Sequence, residues 1–137
     1  MAISPREALG QLRQERDQGT LVQFCSDHGI DLLVAFGSAV DPVLSAPPRD
    51  LDLAVYLAPG RHLLDVIQAL SARTGLAQLD VLDLARAGSV ARVEALGQGE
   101  LLAEQAPGVF AEAQIHAVLE HADTAWIRDL QLQALAR

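Results

Sequence analysis

Apolar positions along the chain change period several times, and each change outlines an element. A first helix is expected from Ser4 to about Asp17. Ser4 is placed as its cap, Pro5 suits the first helical position, and Glu7 follows as in a capping box. Leu21 to His28 reads as a second short helix stopped by Gly29. Residues 31–36 (DLLVAF) form an apolar run between two glycines, the pattern of a buried strand. Residues 37–49 hold Gly, Ser, Asp and three prolines and predict a loop. Residues 51–57 (LDLAVYL) predict a second strand, ended by Pro59-Gly60. Residues 61–74 place Leu63, Leu64, Ile67 and Leu70 at helical spacing before Gly75. A third strand is expected over 77–84 (AQLDVLDL), and a helix over 89–96, capped by Ser89 or started just before it. Residues 100–104 (ELLAE) fit a short strand or a turn of helix. From about 109 to the end, Ile115, Leu119, Ala122, Trp126 and Leu130 mark one face of a single long helix. This order predicts one α/β domain over 1–137, a small mixed sheet flanked by helices with its active face at one end of the strands.

Composition narrows what such a domain can do. A chain of 137 residues, half of them apolar, is long enough for a core and too apolar for disorder. The net charge of −8 opposes direct binding to nucleic acid or anionic lipid, and aromatics are too few for a base-stacking platform. Cys25 is the only cysteine, so no intrachain disulfide can form. The N-terminus has no apolar signal core and no run reaches the length of a membrane span, so a cytoplasmic protein is expected.

The candidate chemistry is acidic. Asp50 and Asp52 open the second strand two residues apart and so project to one face. Asp80, on the third strand, could join them. Three carboxylates together repel unless a cation sits among them or one takes a proton. Magnesium suits oxygen ligands shared with phosphates. Gly37 and Ser38, at the end of the first strand, would let backbone approach a phosphate and add a hydroxyl donor. A lone Gly-Ser is usually a turn and a lone Asp-x-Asp usually a solvated edge or a cap. Their order along the chain is what raises the phosphoryl-transfer reading. Asp83, three residues from Asp80, should face the other way, and Asp41 before Pro42 should be a turn residue.

At FGS (36–38), DLDLAVYL (50–57) and LDVLDLARA (79–87) the chain resembles the minimal nucleotidyltransferases of the DNA polymerase beta superfamily. The likeness covers most of residues 30–105 and extends weakly to GELLAE (99–104) and the last helix. It implies a DNA polymerase beta-like fold, with Gly37, Ser38 and Arg49 at the nucleotide. It also implies Asp50, Asp52 and Asp80 as catalytic residues and magnesium ligands, with Asp80 the general base. Many stand-alone members are antitoxins that transfer AMP from ATP to a tyrosine of a partner HEPN-domain ribonuclease toxin. The resemblance thus implies ATP as substrate, such a toxin as partner, and a homodimer or a hetero-oligomer with the toxin. Two departures stand out. Eleven residues (39–49) separate Ser38 from Asp50, slightly more than is usual, and the positions after Ser38 (Ala39, Val40, Asp41) lack the family's aromatic or basic residue. Arg49, Arg61 or an arginine from a partner are the candidate sources of the missing charge.

Other residues carry weaker readings. Cys25 with His28 has the composition of a nucleophile and base, but a partly buried helical cysteine fits better. His116 and His121 are five apart, where a metal pair on one helix face needs four. Arg86 is expected to pair with a carboxylate. Trp126 is expected to pack against the sheet, with a partner-facing anchor as the alternative. Two competing functions remain: an inactive antitoxin of the same fold that works by binding alone, and a small-molecule nucleotidyltransferase, which would need an added acceptor-binding domain.

Overall fold

A computed structural model describes residues 3–43 and 47–136; residues 44–46 of the expected loop lie outside it. Helix α1 (Pro5–Gln18) begins as its sequence predicts, with Ser4 Oγ accepting the Glu7 N–H at 3.1 Å. Helix α2 (Thr20–Asp27) follows, then strand β1 (Ile30–Phe36) and strand β2 (Leu51–Leu57). Helix α3 (Leu63–Thr74) leads to β3 (Leu79–Asp83), and α4 (Ser89–Gly97) to β4 (Glu100–Glu104), which is a strand. Helix α4 starts at Ser89 after Gly88, so Ser89 does not cap it through its side chain.

The expected single C-terminal helix is two: α5 (Val109–Asp123) and α6 (Ala125–Leu135). The chain breaks at Thr124, with φ −100° and ψ 1°, outside the helical well. The Thr124 hydroxyl bonds back to the Glu120 carbonyl at 3.1 Å, the local competition that makes threonine a poor mid-helix residue.

The four strands form one mixed sheet in the order β3-β2-β1-β4. Strand β1 runs antiparallel to both β2 and β4, and β2 runs parallel to β3. Strand β1 is central, and Leu32, Leu33, Val34 and Ala35 are wholly buried because helices cover both faces. On one face Leu33, Ala35, Leu51, Leu53 and Val55 pack with side chains of α1, α2 and α3. On the other, Leu32, Val34 and Ala54 pack with Ala95 and Leu96 of α4 and Ala117 of α5. A register shift between Ile30 and Leu32 puts Ile30 on the same face as Leu33, which strict alternation would forbid. Among the described residues no helix is long and apolar enough to cross a membrane.

Polar contacts tie the helices to this sheet. The Arg13 guanidinium donates to both carboxylate oxygens of Glu100 on β4 at 2.7 Å, and Arg16 donates to the same group at 2.9 Å. Those bonds, Arg13's first, hold the Glu100 carboxyl below its ordinary pKa against the opposing effect of burial. At the turn into β4, a Cβ on Gly99 would overlap the Ala95 carbonyl and the Val34 side chain. Only glycine lets α4 and β1 approach so closely there.

Candidate active site

Strand geometry brings the acidic residues together. On β2 the odd residues Leu51, Leu53 and Val55 enter the α1–α3 side of the core, so Asp50 and Asp52 face the α4 side. The parallel register of β2 and β3 pairs Asp52 directly with Asp80. One carboxylate oxygen from each of Asp50, Asp52 and Asp80 lies within 4.8 Å of the other two. Asp50 and Asp80 are exposed and Asp52 is half-buried.

The end of β1 completes the wall. Phe36 pairs with Asp52, which places Gly37 beside that aspartate. Gly37 has φ +78°, and a Cβ there would overlap Asp52 Oδ2. Both the left-handed backbone and the close approach therefore demand glycine. The Gly37 and Ser38 carbonyls accept from the N–H groups of Val40 and Asp41, closing a turn. Gly37, Ser38, Asp41 and Asp52 line a cavity of about 690 Å³.

Two further lining residues are Glu94 of α4 and Gln98, the residue that ends it. Neither has a role in the sequence pattern, because only the packing of α4 over this face brings them to the cavity. Arg92, also overlooked, fixes α4 in place. Its guanidinium donates to the Leu84 carbonyl at 3.0 Å and the Ala87 carbonyl at 2.6 Å, and pairs with Glu120 on α5.

The electrostatics are one-sided. Asp41, Asp52 and Glu94 line the cavity, and among the described residues no Lys or Arg lines it. Desolvation raises the Asp52 pKa from its ordinary value, and the charges of Asp80 and Asp50 raise it further. Three hard oxygen donors with room for waters and phosphate oxygens fit a magnesium ion.

Not every expected cation reaches this end of the sheet. Arg49 precedes Asp50 but is exposed and outside the cavity lining. Arg61 lies beside Gly29, at the start of β1, where it lines a different cavity with His28 and His62. The length of β1, roughly 20 Å at a strand's rise per residue, separates Arg61 from Asp52. Asp83 faces away and accepts the Ala85 N–H at 3.1 Å, with Arg86 3.8 Å away. Asp41 accepts the Val43 N–H at 2.9 Å, the turn its Pro42 neighbour predicts. Cys25 is fully buried, and burial pushes its thiol up to about 12, which removes it as a nucleophile. His116 is exposed, 3.8 Å from Glu112. Trp126 does not pack against the sheet: it is 63 % exposed, on a helix that buries none of its residues.

No protein-family model matches the chain, and no curated protein does. Solved structures do. A chain of a toxin–antitoxin complex with AMP-PNP aligns with a TM-score of 0.69 at 17% identity, over 88% of this chain and 99% of that one. The complex of a tri-AMPylated Shewanella oneidensis HEPN toxin with its MNT antitoxin aligns with a TM-score of 0.66 at 17% identity, over 91% and 99%. An MntA–HepT toxin–antitoxin complex gives 0.65 at 16% identity, over 90% and 99%. The fold is that of the MNT antitoxins, the α/β fold of the minimal nucleotidyltransferases.

Proposed function

We propose, from this MNT antitoxin fold and its acidic cluster, that the protein is a magnesium-dependent nucleotidyltransferase. Its reaction moves AMP from ATP to a hydroxyl, a tyrosine's, on a partner HEPN toxin, and so silences that toxin. The observation that carries the reading is the convergence of Asp50, Asp52 and Asp80 within 4.8 Å, facing the Gly37–Ser38 turn. A fold neighbour whose toxin is AMPylated and another that holds AMP-PNP support it.

Each residue then has a part. Gly37 leaves room for phosphate oxygens near the backbone, and Ser38 offers a hydroxyl donor. Asp50, Asp52 and Asp80 hold the metal. When bound, magnesium offsets the charge that builds on the phosphates and steadies the departing pyrophosphate. The acceptor oxygen forms a bond to the α-phosphorus while the bond from that phosphorus to the pyrophosphate oxygen breaks. Asp80, exposed at the rim, takes the hydroxyl proton. Arg49, at the loop's end, supplies countercharge to the triphosphate from outside the cavity.

Incubation of the protein with labelled ATP, magnesium and a candidate HEPN toxin should label the toxin. The Asp50→Ala, Asp52→Ala double variant should abolish that label. Label that survives both substitutions refutes the mechanism. One observation favours a second reading, in which the antitoxin works by binding alone: the cavity's carboxylates have no lysine or arginine among them. Under that reading the double variant neutralises the toxin as well as the parent does.

A further inference from the structure

Helix α6 buries none of its residues, yet it is apolar on two sides. Trp126, Ile127 and Leu130 fall on one side, and Leu132 and Leu135 on the other. On α5, Ile115, Val118 and Leu119 are each more than half exposed. Most of the large apolar side chains exposed among the described residues thus sit on these two helices. A helix apolar around most of its circumference is ordinarily covered on both sides.

The position of this surface says what covers it. Between α4 and α6 runs a groove of about 620 Å³, lined by Val90, Ala91 and Glu94 on one side and Ile127, Arg128 and Gln131 on the other. Glu94 also lines the cavity that holds Asp52. The groove and the nucleotidyl site therefore share a wall, and a segment lying in the groove ends beside the acidic cluster. A protein acceptor must deliver a hydroxyl to that cluster, and this is an apolar path to it.

Charge selects among occupants. Helices α5 and α6 carry Glu112, Asp123 and Asp129 against their one guanidinium, Arg128, while Glu120 is paired with Arg92 of α4, on a chain of net charge −8. A second copy would set like charges face to face, and an anionic lipid surface would be repelled. A partner with an apolar helical face and a basic rim is complementary on both counts.

We propose that the α5–α6 surface docks the HEPN toxin through an apolar helical face with a basic rim, and that the α4–α6 groove guides the toxin's acceptor segment past Glu94 to Asp52. The proposal rests on the functional reading above, but docking can be measured without catalysis.

The test uses the full chain and the HEPN toxin that it labels or neutralises. Trp126→Asp with Leu130→Asp alters two exposed positions, at 63 % and 56 %, so the fold is spared. Val22→Asp with Leu64→Asp, exposed residues of α2 and α3, is the control. Calorimetry should show toxin affinity reduced at least about tenfold in the first pair and unchanged in the control, as for loss of an apolar anchor. ATP–magnesium binding should be equal in both. Ile127→Arg, which fills the groove, should slow label transfer at saturating toxin by about tenfold or more through misplacement of the acceptor. Toxin affinity within twofold of the parent in the first pair overturns the docking surface. So does a parent dimer, seen by sedimentation, that this pair converts to monomer. Unchanged transfer by Ile127→Arg overturns the groove's role. Toxin binding that depends on Trp126 and Leu130, in a parent that transfers no label, leaves docking intact and refutes the catalytic reading instead.

Discussion

Replacing Asp52 by Asn should make the metal-free protein more stable, the reverse of what most substitutions at a strand position do. The carboxylate oxygens of Asp50, Asp52 and Asp80 lie within 4.8 Å of one another. At that distance two like charges cost about 0.9 kcal/mol in water and about 3.5 kcal/mol at an effective dielectric of 20. Asp50 and Asp80 are exposed, so the solvent end of that range applies. After screening, the two pairs that involve Asp52 cost about 1 to 2 kcal/mol together. For a chain of this size that is roughly 3 to 8 °C in Tm. Thermal melts followed by circular dichroism, in chelator at low salt, read the difference. Magnesium should reverse it: at about ten times its Kd the ion adds about 1.4 kcal/mol to the parent, and the variant, missing one ligand, gains much less.

The pH dependence follows from the raised Asp52 pKa, caused first by desolvation, then by Asp80 and Asp50. The folded state holds the Asp52 proton more tightly than the unfolded chain does. The destabilisation is therefore full above the folded pKa and fades as pH falls through it toward the unfolded value. The advantage of Asp52→Asn should fade over the same window, and added salt should shrink it. A variant less stable than the parent in chelator, or an equal gain from magnesium in both proteins, would refute the claim that these charges converge.

Three other outcomes are expected. Gly37→Ala places a Cβ on Asp52 Oδ2 in a backbone with φ +78°, so it should cost about 1 to 3 kcal/mol in denaturant unfolding and abolish ATP binding by calorimetry. Glu100→Gln weakens the bonds from Arg13 and Arg16. It should cost about 1 kcal/mol at neutral pH, and because the Glu100 pKa is lowered in the fold, the parent's advantage should persist above the unfolded pKa and vanish as pH falls through the folded one. Cys25 should resist a thiol reagent in the native protein and react at once in denaturant, since burial holds its thiol at about 12; rapid native reaction would contradict its placement.

Much of the candidate site could be read from residues near in sequence. Gly37 and Ser38 end an apolar run, and Asp50 and Asp52 share a face through the two-residue period of a strand. Element order was legible for the same reason, since the period of apolar positions is a local property. The C-terminal helix shows where this runs out. The expected stripe of Ile115, Leu119, Ala122, Trp126 and Leu130 crosses the break at Thr124, and α5 packs inward through Val109, Phe110, Ala113 and Ala117 instead, so Trp126 stays exposed.

By itself, then, the sequence determined the elements as far as α4, the turn beside the first strand and the acidic pair at the head of the second, but not the break at Thr124. Tertiary structure alone decided that β2 and β3 pair in parallel with Asp52 against Asp80, and that α4 brings Glu94 and Gln98 to the cavity. It also decided that Arg61 lies at the wrong end of β1. The physical reason is range. Side-chain direction follows from backbone dihedrals a few residues long, whereas strand register and helix placement arise from burial shared among segments distant in the chain.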